Sequence, residues 1–463
     1  MFYRNKYKKA DKKHLKAYSK IRAEGKKRYF CHAPFHSLLF SPYGKIMACY
    51  NNKREVLGTW PEDSISDVWF GKKLSQLREH LKHYDLSYGC DDCSRNLHAG
   101  SYYSVGAWRY DYLAGKVGKF PTSFDFQMSS RCNLQCIMCS GENSDKIRME
   151  KELAAPYDNP YDYSFLEQLN EFVPYLRDAS FSGGETFLNP VYYQIWDLFA
   201  KNNPNIRISV NSNGTILNEK VKSVLAKLKF NITLSIDAID KEIYASIRRG
   251  ANLQKTLENF EYYLKYTRAN GTDINIKVCP IKQNIYHIPD LLRFFMAHQV
   301  PVIYNTVVFP PNCTIWNQPA KQIHEAIDHL QKNRPVSATQ SDKDNIARYD
   351  SLIVQLSNWH TEALVREKNE KQHEGNHQKL ITELLINIEA SISSIPYFPN
   401  EIKDKKIEEI SKKIHGIFDA VLEDEKKIKI AIYFLSLPVE RLIGEVDIRE
   451  LDKLIYRVNG IGN

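Results

Sequence analysis

Cys132, Cys136 and Cys139 stand in SSRCNLQCIMCSGE, three thiols within eight positions. Thiolates so close on one loop can converge on an iron–sulfur cluster or contribute to a zinc site. Structural zinc takes four protein ligands. Three cysteines on a four-iron cluster leave one iron open to a substrate or cofactor, which suits chemistry better than scaffolding. A second set lies upstream: Cys31 and Cys49 in CHAPFHSLLFSPYGKIMAC, then Cys90 and Cys93 in GCDDC. The spacing from Cys31 through Gly44 to Cys49 predicts a β-hairpin with a glycine turn that brings those two cysteines together. With the later pair they make four ligands, a set that serves a zinc ribbon and an iron–sulfur site equally well. His32 and His36 read as surface residues of this hairpin, because four cysteines already complete the site. Cys279 and Cys313 read first as packing residues. Cys313, in FPPNCTIW, is also a candidate hydrogen donor or substrate anchor.

The elements that must position these groups alternate regularly. Strand-like segments occur at 123–128, 179–183, 206–214, 231–238, 274–280 and 301–308, with helical patterns such as NPVYYQIWDLFAKN and NEKVKSVLAKLK between them. Six strands with helical crossovers predict a parallel α/β sheet, either doubly wound or curled into a barrel. In both, the site lies beyond the carboxyl ends of the strands, and that is where the polar signatures SGGE, NSNG and SIDA fall.

CNLQCIMC resembles the signature of the radical S-adenosylmethionine (SAM) superfamily, and FSGGET, VNSNGT and LSIDA match further elements of that family at successive strand ends. The resemblance, which covers about residues 121–310, implies a partial (β/α)6 TIM-like barrel. It also implies a 4Fe–4S cluster on Cys132, Cys136 and Cys139 whose fourth iron is chelated by SAM. Ser182, Gly183, Gly184 and Glu185 would receive the methionine amino group, glycines allowing close backbone approach and a carboxylate accepting from an ammonium. Asn213, Ser235 and Asp237 would hold the ribose and the SAM carboxylate, with Arg248 or Arg249 as carboxylate partners. Met138 stands where the family commonly has an aromatic residue against the adenine; its thioether can pack on a ring.

The stretch from Cys31 through VLGTWPEDSISDVWFGKKLSQLREHL to Cys93 resembles the twitch or SPASM auxiliary-cluster domains of radical SAM peptide-modifying enzymes. Here it precedes the barrel. The resemblance implies an auxiliary 4Fe–4S cluster fully ligated by Cys31, Cys49, Cys90 and Cys93, which favours electron transfer. The domain reading is a basic arm (1–29), the auxiliary β-hairpin/helix domain (30–110), the radical SAM core (121–320) and a helical C-terminal region (321–463). In that last region REKNEKQHEGNHQK (366–379) reads as an exposed linker. Ile381, Leu384, Leu385, Ile388 and Ile392, like Ile407, Ile410, Ile414, Ile417, Phe418 and Val421, recur at helical spacing and read as a small helical core.

The chain has 463 residues, too many for one compact core, and a net charge of +9. Residues 1–29 hold twelve Lys or Arg against Asp11 and Glu24, so the arm alone carries +10 and the remainder is close to neutral. Such an arm reads as a solvated tail. There is no run approaching the roughly twenty apolar residues of a membrane helix, nor an apolar signal-peptide core at the N-terminus. The reading is a soluble, cytoplasmic protein whose nine cysteines are ligands or reactive thiols rather than disulfides. The resemblance implies an oxidoreductase-type radical enzyme that cleaves SAM to methionine and a 5′-deoxyadenosyl radical. Its leading substrate is a peptide or protein, its electron donor a carrier such as flavodoxin or ferredoxin. A small molecule such as an activated sugar is the alternative substrate. A zinc-stabilised nucleic-acid-binding protein is the alternative of another class, and it leaves the three strand-end motifs unexplained.

Overall fold

The computed structural model describes residues 9–22, 29–52, 55–98, 100, 102–115, 117–308, 310–336, 339–372, 376–394, 399–447, 449–459 and 461. Eleven strands are found among them. They are β1 (Ser37–Phe40), β2 (Lys45–Met47), β3 (Gly58–Thr59), β4 (Ser123–Phe126), β5 (Gln135–Cys136), β6 (Asp178–Phe181), β7 (Arg207–Ser212), β8 (Phe230–Ser235), β9 (Arg248–Arg249), β10 (Ile274–Val278) and β11 (Val302–Tyr304). Nine join one sheet in the order β11-β10-β8-β7-β6-β4-β1-β2-β3. The six predicted core strands, β4, β6, β7, β8, β10 and β11, are all parallel, as a chain of helical crossovers requires. The fold is a mostly parallel α/β sheet with helices and a helical C-terminal region; among the described residues no pairing closes it into a full barrel.

The hairpin is not a separate sheet. β1 runs parallel to β4, with Ser37 opposite Ser123 and Phe40 opposite Phe126, so the hairpin extends the core at its edge. Gly44 takes φ +75° in the β1–β2 turn. Cys31 precedes β1 and Cys49 follows β2, which runs antiparallel to β1, so both lie beyond the amino ends of the parallel strands. Cys132, Cys136 and Cys139 lie beyond the carboxyl end of β4.

Crossover helices Tyr163–Phe172, Pro190–Asn202, Glu219–Lys227 and Leu253–Asn270 each begin at a side-chain cap, from Asp162, Asn189, Asn218 and Asn252 respectively. They cover the outer face of the sheet, where Phe126, Phe181 and Trp196 pack with ring centroids 4.9 and 5.3 Å apart. The inner face is different. β8 alternates buried Phe230, Ile232 and Leu234 with half-exposed Asn231, Thr233 and Ser235, the period of a strand with two unlike faces. The register carries this polar row across the sheet: Asp125 is opposite Ser180, Ser180 opposite Ser209, Asn211 opposite Thr233, and Ser235 opposite Lys277. The concave face is therefore polar, and the same row carries the acids Asp125 and Asp178 and the bases Arg207 and Lys277.

Three sequence expectations are corrected. The described part of the basic arm is not a solvated tail. Helix Lys12–Ser19 is capped by Asp11, buries Tyr18, whose hydroxyl donates to Val105 O at 3.3 Å, and is followed by Arg22 paired with Asp111. Residues 1–8 and 23–28 of the arm lie outside the described residues. His32 and His36 are buried rather than on the surface, because the helical turn Ala33–His36 tucks under β1; His36 Nδ1 is 3.1 Å from Thr122 Oγ1, and burial lowers its pKa to about 4. The charged segment at 366–379 is largely helical, Gln340–Gln372 running into it and His377–Ser393 leaving it. Two of its charges meet the chain after β11: Arg366 lies over the Trp316 ring and Glu367 accepts from Ala320 N at 2.7 Å, while Glu362, just before the segment, accepts from the indole at 2.6 Å; Lys368, Lys371 and Lys379 are exposed. The C-terminal stripes are buried as helical spacing predicts, with Leu384, Ile388, Ile414 and Ile417 at 1% exposure or less.

Candidate active site

The three-cysteine loop is fastened to the carboxyl ends of the strands at several points. β5 pairs with β9, Cys136 opposite Arg248, and Ile137 N donates to Ile247 O at 3.0 Å. Between the first two cysteines, Asn133 Oδ1 accepts from Asn213 Nδ2 and Asn133 Nδ2 donates to Thr215 Oγ1, both at 2.9 Å. Asn213 thus grips the cysteine loop from the end of β7. Ser144 Oγ donates to Leu134 O at 2.7 Å and caps the helix Asp145–Glu150.

The glycine pair has a local reason. Gly183 and Gly184 sit at φ +88° and +56°, and a β-carbon there would lie 2.7 Å from Ser129 O and 2.3 Å from Arg131 O. Only glycine lets β6 end against the backbone of the cysteine loop this closely. Glu185 N then donates to Arg131 O at 2.8 Å. The Glu185 side chain is fully buried; it accepts from Ser212 Oγ at 2.8 Å, Asn213 N at 2.6 Å and Phe187 N at 3.1 Å. Burial pushes its carboxyl pKa up and the three donors oppose the rise.

A buried charge relay reaches the second cysteine. Arg248 Nη2 is 2.7 Å from Asp237 Oδ2, Asp237 Oδ1 accepts from Cys279 N at 2.7 Å, and Arg248 Nη1 donates to Cys136 Sγ at 3.8 Å. Arg249 is exposed on the β5–β9 ribbon. Burial pushes the Cys132 thiol to about 11 and raises Cys139, where the neighbouring thiolates add to the effect. Three thiolates in such a place need a compensating cationic group, and a soft three-sulfur donor set fits an iron–sulfur cluster.

Met138 and Cys313, distant in sequence, meet in one small apolar group with Ile137, Ile243, Ile247, Cys279, Ile281 and Val307, separate from the main core. Cys313 is fully buried, its thiol 3.6 Å from Pro310 O. Ser182 and Ser235 are half-buried, Ser182 N donating to Phe126 O at 2.9 Å.

The four upstream cysteines line one cavity with Phe30, Leu81, Ala107 and Tyr110. Two asparagines two and three residues after Cys49 donate to the other sulfurs: Asn51 Nδ2 to Cys93 Sγ and Asn52 Nδ2 to Cys90 Sγ, both at 3.7 Å. Sequence reasoning missed both, although their place beside a ligand cysteine was the available signal. Burial pushes the Cys49 thiol to about 12 and holds Cys31 and Cys90 well above the thiol range. Four sulfurs around an apolar cavity with amide donors on two of them suit a fully ligated cluster. The helix Ile65–Phe70 begins at the Ser64–Asp67 capping box. Arg78 lies 4.4 Å over the Trp69 ring and donates to Pro34 O at 2.8 Å.

Comparison with known proteins gives matches in both regions. Residues 126–294 match the Radical SAM superfamily and residues 31–94 match SPASM, an iron–sulfur cluster-binding domain. GTP 3′,8-cyclase of Listeria monocytogenes serovar 1/2a is 25% identical over 189 residues, 39% of this chain and 53% of that enzyme. The cysteine-type anaerobic sulfatase-maturating enzyme of Clostridium perfringens is 27% identical over 172 residues, 36% of this chain and 46% of that enzyme. The chain thus spans about half the length of these curated relatives. Among solved structures, native anSMEcpe with bound AdoMet matches with a TM-score of 0.36 and 19% identity, over 46% of this chain and 60% of that one.

Proposed function

We propose that this chain, a radical SAM superfamily protein with a SPASM iron–sulfur domain ahead of its core, reductively cleaves SAM and abstracts hydrogen from a peptide or protein. The observation that carries the reading is the pair of cysteine sets at opposite ends of the same parallel strands, three beyond the carboxyl ends and four beyond the amino ends. Three ligands leave a position for SAM; four leave none. Cys132, Cys136 and Cys139 would hold a 4Fe–4S cluster, which would supply the electron needed to cleave the SAM sulfonium.

The chain's own residues do the positioning. Arg248 donates toward Cys136 and is itself held by Asp237, so the second thiolate keeps a fixed positive neighbour. Glu185 accepts three hydrogen bonds and retains one of the roughly four acceptor sites of a carboxylate, which we assign to the methionine ammonium. Ser182, Gly183 and Gly184 offer backbone beside it, and Asn213, Ser235 and Asp237 line the strand ends assigned to the rest of SAM. Met138, Ile247 and Cys313 form an apolar wall that excludes water from this end of the sheet. Asp125 and Lys277, on the polar concave face, offer an acid and a base to a hydrogen-bonding substrate. Cys31, Cys49, Cys90 and Cys93 would hold an auxiliary cluster that exchanges electrons with a carrier such as flavodoxin or ferredoxin.

A peptide or protein substrate is supported by the SPASM match and by the likeness to a sulfatase-maturating enzyme. The likeness to a GTP cyclase favours a second reading, a phosphorylated small molecule. Anaerobically reconstituted protein should hold about eight irons per chain, as two four-iron sites require, and should release 5′-deoxyadenosine from SAM with dithionite. Stoichiometric zinc with negligible iron would overturn the reading. Deoxyadenosine formation stimulated by GTP and not by peptides would favour the small molecule.

A further inference from the structure

Glu142, three residues after Cys139, is held from both ends of the chain. Its backbone carbonyl accepts from Tyr43 Oη, in the β1–β2 turn, at 3.1 Å. Its carboxylate accepts from Arg449 Nη2, 307 residues away, at 2.9 Å. Both side chains of that pair are largely buried, at 8% and 16% exposure, where an ion pair escapes most solvent screening.

The C-terminal side of the contact is built to hold Arg449 still. Helix Val439–Asp447 ends at the turn that carries it, and Lys413, from helix Asn400–Asp419, donates to Val446 O and Asp447 O at 3.1 Å and to Arg449 O at 2.7 Å. One ammonium thereby satisfies three carbonyls at a helix C-terminus, which are otherwise without intrahelical partners. Arg449 Nη1 also donates to Glu445 O at 2.9 Å and pairs with the Glu445 carboxylate, to which Arg457 Nη1 comes within 3.8 Å. A second contact runs parallel to the first: Lys453 donates to Glu152 O. Glu152 in turn accepts from Gly141 N at 2.9 Å, within the same loop.

We propose that Arg449 is a positioning residue for the three-cysteine loop, fixing the Cys139 side of the loop through Glu142. The C-terminal helices then form part of the support of the SAM-cleaving site. The inference rests on the proposed cluster at Cys132, Cys136 and Cys139 for its spectroscopic test, and on the geometry alone for its test in metal-free protein.

The variants are Arg449→Met, Arg449→Lys and Glu142→Gln in the full chain. In metal-free protein, hydrogen exchange of the peptide spanning 140–150 should speed up at least tenfold in Arg449→Met and return toward the parent in Arg449→Lys, while 31–49 is unchanged. After anaerobic reconstitution in a Cys90→Ala/Cys93→Ala background, which isolates the three-cysteine cluster, the reduced cluster of Arg449→Met should give altered EPR g-values. SAM binding should weaken by about ten- to a hundredfold, the usual cost of removing an outer-shell support. Parent-like exchange, EPR and SAM affinity in Arg449→Met would overturn the inference. If Arg449→Met fails to fold, Glu142→Gln decides. The same selective changes in that variant support the latch, and parent-like behaviour overturns it. Absence of any cluster in the parent protein would overturn the proposed function, while the exchange experiment would still decide the latch.

Discussion

Arg248 Nη1 lies 3.8 Å from the sulfur of Cys136, on the strand that pairs directly with it. The guanidinium cannot move freely, since Asp237 holds its other nitrogen at 2.7 Å. Sulfur ligands that accept hydrogen bonds share their negative charge, which raises the reduction potential of a cluster and slows loss of the ligand. Arg248→Met should therefore lower the midpoint potential of the three-cysteine cluster and reduce deoxyadenosine formation about ten- to a hundredfold. It should also leave the Asp237 carboxylate buried without its cation, so Asp237→Asn combined with Arg248→Met should be more stable than Arg248→Met alone. Potentiometric EPR of Arg248→Met, and thermal melts of it and of the double variant beside the parent, check both expectations.

Glu185 accepts from three buried donors, and under the proposed function it also receives the SAM ammonium; substitution can separate the two. Glu185→Ala removes the acceptor of three buried donors, and the stranded donors should cost about 1–3 kcal/mol each, an upper bound because waters can enter. Glu185→Gln keeps an acceptor oxygen but removes the charge. Its melting temperature should fall less than that of Glu185→Ala, while SAM affinity should weaken by an amount on the order of 2–5 kcal/mol. Calorimetric titration of reconstituted protein makes the comparison; unchanged SAM affinity in both variants would mean that the ammonium binds elsewhere.

Replacing Cys90 and Cys93 together by Ala should remove about four irons and leave the three-cysteine cluster in place. Deoxyadenosine should still form when dithionite supplies electrons. Turnover of the substrate should fail, because the auxiliary site would no longer exchange electrons. Iron content, deoxyadenosine and product are measured on the same variant, and normal product formation would reduce the cage to a structural support.

Asp125 gives a pH signature. Burial on the concave face pushes its carboxyl pKa up to about 7, with the Gln127 side chain and Lys277 opposing the shift. The unfolded chain loses this proton near pH 4 and the folded chain only near 7, so between those values the folded state binds more protons than the unfolded one. Stability therefore falls as pH rises through that window and levels off above it. Asp125→Asn should remove this part of the decline, as thermal melts from pH 4 to 8 would reveal; an unchanged pH profile would place the carboxyl in a more solvated setting.

The cysteine sets and the six parallel strands were legible because they are local: ligand spacing and strand period are written within short windows. What was not legible is relational. The hairpin that carries Cys31 and Cys49 reads as self-contained, since nothing within it announces that β1 pairs with β4, over 80 residues on. Arg248 reads as a partner for a cofactor carboxylate because its family motif says so, while the structure directs it to Asp237 and Cys136. The charged 366–379 stretch reads as a linker by composition, and its helix becomes intelligible only once Trp316 and Ala320 are seen beside it. Glu142 and Arg449 carry no motif at all.

The parallel pairing of β1 with β4 has a practical consequence for anyone cutting this chain. Were residues 121–463 expressed alone, β4 would become the border of the sheet, with the backbone groups now matched at Ser37–Phe40 left bare. Bare borders of this kind recruit other strands. The shortened protein should come out of the cell as oligomers or inclusion bodies, and any fragment meant to be handled separately should begin before β1 rather than at the first residue of the SAM-binding core.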